Sequence, residues 1–130
     1  MVALLFILSA KAQRRDTLKG LAADTLIFAE VQQVPKFPDG DQGFRFFLAK
    51  TIKYPATAAA SGIRGRVIIT MVIEKDGSVT HARVVHHLSP DLDKEALRVM
   101  SLSPKWKPGI VNGKYVRTYY SVPVGFMPNN

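Results

Sequence analysis

From residue 114 to residue 126 the chain alternates without a break. Val116, Thr118, Tyr120, Val122, Val124 and Phe126 fall on one face; Tyr115, Arg117, Tyr119, Ser121 and Pro123 fall on the other. A period of two in β-branched and aromatic residues predicts a half-buried strand. Pro123 has no N–H to give to a ladder, which places this strand at a sheet edge. An edge presents a row of unpaired backbone groups and can accept a strand from another chain.

The rest of the pattern supplies a setting for that strand. Residues 26–31 are a short apolar run, read as a candidate strand. Pro35, Pro38 and Asp39-Gly40 exclude regular structure across residues 34–40. Phe44, Phe47, Leu48 and Ile52 recur at helical spacing, with Arg45 and Lys50 on the outer side, and predict a helix over residues 41–52 capped by Asp39 or Asp41. Pro55 ends it and opens a second short helix that closes at Gly62. Residues 65–74 are apolar on both faces in their middle, as a central strand is. Asp76-Gly77 tolerates the positive φ of a tight hairpin turn, and residues 79–86 return as the partner strand. The change of phase between Val79 and Val84 indicates a bulge. Residues 89–100 form the best-signalled helix: Ser89 caps it, Pro90 occupies its first turn, Asp91 and Asp93 complement its dipole, and Leu92, Ala96 and Val99 make the inward stripe. Asn112-Gly113 is a turn into the closing strand. The order helix, strand, strand, helix, strand predicts an α/β (α+β) fold, with two helices packed on one face of a three-stranded antiparallel sheet.

Ahead of this, residues 2–10 form an apolar run shorter than the roughly 20 residues a helix needs to cross a bilayer. It ends in Ala10-Lys11-Ala12, with small residues at the −3 and −1 positions of a signal-peptidase site. The expected organisation is a cleaved signal peptide over residues 1–12, a flexible lead over 13–30 and one domain over 31–127. The chain has no cysteine, so no disulfide or thiolate site is available, and its length permits a working core without staples. The formal charge of +8 is scattered from Arg14 to Arg117 rather than gathered. With no recognition motif, it reads as solubility and not as nucleic-acid binding.

A search for chemistry yields little. Ser89, His86 or His87, and Asp91 are close in sequence, but no strained turn presents a serine, and the cap explains Ser89. His81, His86 and His87 lack carboxylate ligands and helical His spacing, and read as solvent-side strand residues rather than metal ligands. Asp76-Gly77 is accounted for by the hairpin and not by a calcium loop. Trp106, between Lys105 and Lys107, reads as a plug under the corner between helix and strand and not as a stacking platform. The expectation is a protein without catalytic residues, cofactor or metal.

Several segments occur together in order: Tyr54-Pro55, residues 62–67 (Gly-Ile-Arg-Gly-Arg-Val), Asp76-Gly77-Ser78-Val79, Leu92-Asp93-Lys94-Glu95-Ala96, residues 104–109 (Pro-Lys-Trp-Lys-Pro-Gly), and the closing Val122-Pro123-Val124-Gly125-Phe126. Across about residues 31–126 the chain closely resembles the C-terminal domain of the TonB family of energy transducers. The resemblance implies a periplasmic α/β domain that grips the TonB box of outer-membrane transporters for iron chelates, vitamins or glycans. The box is taken up as an added strand, and pulling on it transmits the proton gradient. Carried onto this chain, the binding residues implied are Lys53, Tyr54 and Pro55, with Tyr115, Val116, Arg117, Thr118, Tyr119, Tyr120, Ser121, Val122 and Val124. The membrane-spanning helix and proline-rich spacer of a full transducer do not appear in the sequence. The expectation is therefore a stand-alone periplasmic form, tied to the inner membrane only if an anchor lies upstream of Met1. The alternatives are a homodimer formed by pairing of the free edge with its own copy, and a small exported enzyme using His86 or His87 as base.

Overall fold

Val67, Ile69, Met71 and Ile73 are fully buried, and Val72 between them is almost so. A strand apolar on both faces is stable only in the middle of a sheet, and β2 (Gly65–Ile73) lies there. The computed structural model describes residues 25–127, so the expected signal peptide over 1–12 and the lead from 13 to 24 lie outside the described residues. In chain order the other elements are β1 (Ile27–Phe28), α1 (Gly40–Thr51), α2 (Ala56–Ala60), β3 (Val79–His86), α3 (Pro90–Ser101), β4 (Gly109–Val111) and β5 (Lys114–Phe126).

The strands run β1-β5-β2-β3, and β4 pairs with β5. The α+β class holds, with five strands where three were expected. The two additions to the sheet are β1, which falls within the candidate strand of residues 26–31 and runs parallel to β5, and β4, which forms a hairpin with β5 across Asn112 and Gly113. Strands of two and three residues contain too few positions to show a period. The expected edge position of β5 is corrected in the same way. β5 lies between β2 and β1, and it is an edge only past Thr118, where the short β1 ends.

All three helices cover one face. Phe47, Ala58, Leu92, Ala96, Val99 and Met100 meet Val67, Ile69, Met71, Ile73, Val122, Val124 and Phe126 in one core. The alternation of β5 is as the sequence predicts: Thr118, Val122, Val124 and Phe126 are buried, and Tyr119, Ser121, Pro123 and Gly125 are exposed. Ser89 caps α3, its hydroxyl accepting from the Leu92 N–H at 3.2 Å. Neither Asp39 nor Asp41 caps α1: Asp39 precedes the helix in left-handed conformation (φ 63°), and its side chain makes no capping bond. The tight turn that closes Gly40 N–H on Phe37 C=O takes that position instead.

The β2–β3 hairpin turns at Gly77 (φ +89°), where a Cβ would lie 2.1 Å from the Trp106 carbonyl oxygen. Trp106 in turn donates its N–H to Gly77 C=O at 2.8 Å. One bulge falls where the phase changes, between Thr80 and Arg83 opposite Val72 and Thr70, with His81 at φ 53°; a second irregularity, beyond that stretch, lies between Val84 and His86 opposite Ile69 and Ile68. Trp106 is buried among Phe37, Phe44 and Tyr120, ring centres 5.3–5.7 Å away. This plug fixes the approach of α1 to β5.

Candidate strand-addition groove

The register of β2 with β5 runs unbroken from Gly65↔Phe126 to Ile73↔Thr118, through Ile68↔Pro123. Pro123 has no N–H, so Ile68 and Pro123 must form a pair that exchanges no hydrogen bond. Bonding direction alternates along a strand. Val122 and Val124 therefore bond to β2, while Tyr119, Ser121, Pro123 and Gly125 turn their backbone groups away from it. Among the described residues no strand pairs with that outer side beyond Thr118. Gly125 is exposed there with nothing within 4 Å of its Cβ direction.

The facing wall is α1. Phe47 is buried, but Phe44, Leu48 and Ile52, one position round the helix, are only half buried. They border a groove that follows the outer side of β5. Its middle, of about 700 Å³, lies between Phe44, Leu48, Ile52 and the Pro123–Gly125 stretch. Toward the C-terminal end it continues into about 450 Å³ bounded by Tyr54, Phe126 and Met127. Toward the start of β5 it continues into about 390 Å³ bounded by Val34, Trp106 and Tyr120. Arg45 and Arg66 line the middle, with Asp41 as the acidic counterpart.

The exit of α1 is clamped by α3. The Lys53 N–H donates to Glu95 Oε2 at 2.6 Å, and Arg98 donates to both Glu95 oxygens (2.7 and 2.8 Å) and to Thr51 C=O (2.8 Å). The bonds from Arg98 hold the Glu95 carboxyl below its ordinary value, against the opposing effect of burial. Tyr54, positioned by this clamp, donates its hydroxyl to Ile63 C=O and sets its ring edge-on to Phe126, centres 5.9 Å apart. A second ion pair joins the start of the β2–β3 turn to β5: Arg117 Nε donates to Glu74 Oε1 at 2.6 Å, and Thr80 donates to Oε2 at 2.5 Å. The Arg117 bond lowers the Glu74 carboxyl most.

Of the residues implied by resemblance, Tyr54, Tyr120, Ser121 and Val122 border the groove, and Thr118 and Tyr119 border a neighbouring gap beside Ala29 to Pro35. Val124 faces the core beneath it, fully buried. Lys53 contributes its N–H to the clamp, and Pro55 precedes α2. Tyr115 and Val116 pair instead with β4, and Arg117 and Thr118 pair with β1. The α1 wall and Arg66 were absent from that set. Phe44, Leu48 and Ile52 were visible as an apolar stripe, but a stripe alone does not tell a core face from a groove wall. Elsewhere, His87 Nδ1 lies 2.6 Å from Asp93, His81 Nδ1 lies 2.9 Å from the Thr80 hydroxyl, and Asp91 accepts from Thr57. Ser89, His87 and Asp91 thus each serve a different neighbour, and no triad forms. Among the described residues no three metal-ligating side chains converge.

The Gram-negative bacterial TonB protein C-terminal family matches residues 50–128. The chain belongs to the TonB C-terminal family. It is 35% identical over 80 residues to Protein TonB of Xanthomonas campestris pv. campestris, in strains B100 and ATCC 33913, covering 59% of this chain and 34% of each relative. The chain thus spans about a third of the length of these TonB relatives. It is also similar to the solution structure of the Helicobacter pylori TonB C-terminal domain, residues 179–285 (TM-score 0.49, 24% identity, 66% of this chain and 78% of that one). A further similar structure is the Pseudomonas aeruginosa TonB C-terminal domain (TM-score 0.43, 26% identity, 60% and 81%). Among the described residues no helix is long and apolar enough to cross a membrane.

Proposed function

We propose that this domain works in the periplasm as a peptide-capturing module. It takes up the TonB box of an outer-membrane transporter as an added strand, in transport energised by the proton motive force. The observation that carries this reading is the outer side of β5 beyond Thr118. Its outward-turned backbone at Tyr119, Ser121 and Gly125 lies beside the half-exposed apolar wall of α1. Backbone groups supply the attachment, and the wall supplies a place for alternate side chains of the incoming segment. Titration of the 15N-labelled protein with a TonB-box peptide tests it. Amide shifts should concentrate in residues 119–126 and on α1; their absence across residues 115–124 overturns the proposal.

The same unpaired edge would equally accept a second copy of the chain. Sedimentation separates the two readings: a monomer at micromolar concentration that binds peptide excludes self-pairing as the function.

A further inference from the structure

β1 already occupies part of the edge that capture requires. Ile27 and Phe28 pair in parallel with Arg117 and Thr118, on the side of β5 opposite β2. The chain then bends away at Ala29 and Glu30, leaving a gap of about 410 Å³ against Thr118 and Tyr120. β1 is held lightly. It has two residues, both half-buried, and neither belongs to the core cluster.

The segment that follows is anchored independently of β1. Gln32 and Gln33 donate to Ile110 C=O at 3.0 and 3.1 Å, and Lys36 and Lys107 exchange N–H to C=O bonds at 2.9 and 2.7 Å. β1 can therefore leave β5 while residues 32–37 keep their places around Trp106. A longer extended segment on the same edge would gain the outward groups of Tyr119, Ser121 and Gly125 in addition to those β1 now uses. A two-residue strand cannot match that partner.

We propose that β1 is a built-in competitor for the strand-addition edge, released from Arg117 and Thr118 when a longer segment pairs along β5. The proposal rests on the strand-capture reading above. An internal occupant lowers apparent affinity by the fraction of time the edge is covered. Loosening β1 should thus tighten peptide binding by roughly three- to tenfold, the gain expected for an edge covered most of the time.

Two measurements on the 130-residue chain test this with a synthetic TonB-box peptide as probe. In the unaltered protein, whichever of the Ile27 and Phe28 amides is bonded to β5 should exchange faster with solvent, and both should shift toward unpaired values, at peptide saturation. By calorimetry, Ile27→Pro or Phe28→Pro should bind the peptide more tightly; both positions are needed because alternate N–H groups of a strand point in opposite directions. β1 amides that keep their protection at saturation overturn the proposal, as do both proline variants binding no better than the unaltered protein. In those outcomes peptide still binds along β5, and strand capture stands. A peptide that shifts no residue of β5 overturns both readings together.

Discussion

Gly77 is the position where one methyl group should do most damage. Its φ of +89° disfavours any L side chain, and the added carbon would lie 2.1 Å from the Trp106 carbonyl. Backbone does not yield as a flexible side chain does, so the hairpin or the Trp106 segment must move. Gly77→Ala should lower stability by about 3 kcal/mol, toward the upper end for single substitutions. A urea midpoint shift at unchanged m-value checks it. That glycine was legible as a turn residue because Asp-Gly is a local signal, and Ser89 was legible as a cap for the same reason. Glu95 was not. It looks like an ordinary outer residue of an acidic helix turn, and its decisive partner, the Lys53 N–H, is 42 positions away. Asp39 shows the converse error: a residue type suited to capping was assigned the role, while the backbone there follows a left-handed turn.

β5 and α1 together define what the groove can hold. Pro123 shows that the strand tolerates proline at an outward-turned position while keeping its full register with β2. Ser121 has the same bonding direction, so Ser121→Pro should leave the fold intact and remove an outward N–H. It should weaken peptide binding by about tenfold, the worth of one or two ladder bonds, while Tyr119→Ala should cost less than about threefold. Equal losses from both would show that side-chain contact, and not strand pairing, holds the peptide. On the facing wall, Leu48→Asp places a charge where apolar side chains of the ligand would sit, and should weaken binding by at least about tenfold. Leu48 is only half buried, so circular dichroism should show the fold retained. The alternation that revealed β5 spans thirteen residues. β1 lies within the apolar run read as a candidate strand, but two residues carry no signal of which strand they pair with; β4, at three residues, could not be read, and for those reasons β5 was expected to be bare along its whole outer side. The proline correctly indicated an unpaired side, and the missing strands limit that side to the part beyond Thr118.

Two carboxylates tie together parts of the domain that are remote in sequence. Glu74, just past the end of β2, binds Arg117 of β5, with both side chains less than a fifth exposed, and Glu95 of α3 holds the exit of α1 through Lys53 and Arg98. Hydrogen bonds from arginine lower both carboxyls below the ordinary glutamate value of 4.5. The folded state then binds fewer protons than the unfolded chain near that pH. The stabilisation is complete above about pH 5 and fades as the pH falls through 4.5 toward the lowered folded values. Arg98 is more than a third exposed, so solvent screens its pair, and the loss there should be on the order of 1 kcal/mol. Glu95→Gln keeps the shape and an acceptor for the Lys53 N–H but removes the charge. At pH 7 it should be less stable than the unaltered protein by about 1 kcal/mol, and at pH 3 the gap should narrow as Glu95 of the unaltered protein takes up its proton. Urea midpoints of the two proteins at both pH values decide the matter. A gap as wide at pH 3 as at pH 7 would assign the cost to altered packing rather than to charge. Since the clamp sets Tyr54 at one end of the groove, the same variant should also weaken peptide binding at pH 7, so that acid loosens the fold and the site through one carboxylate.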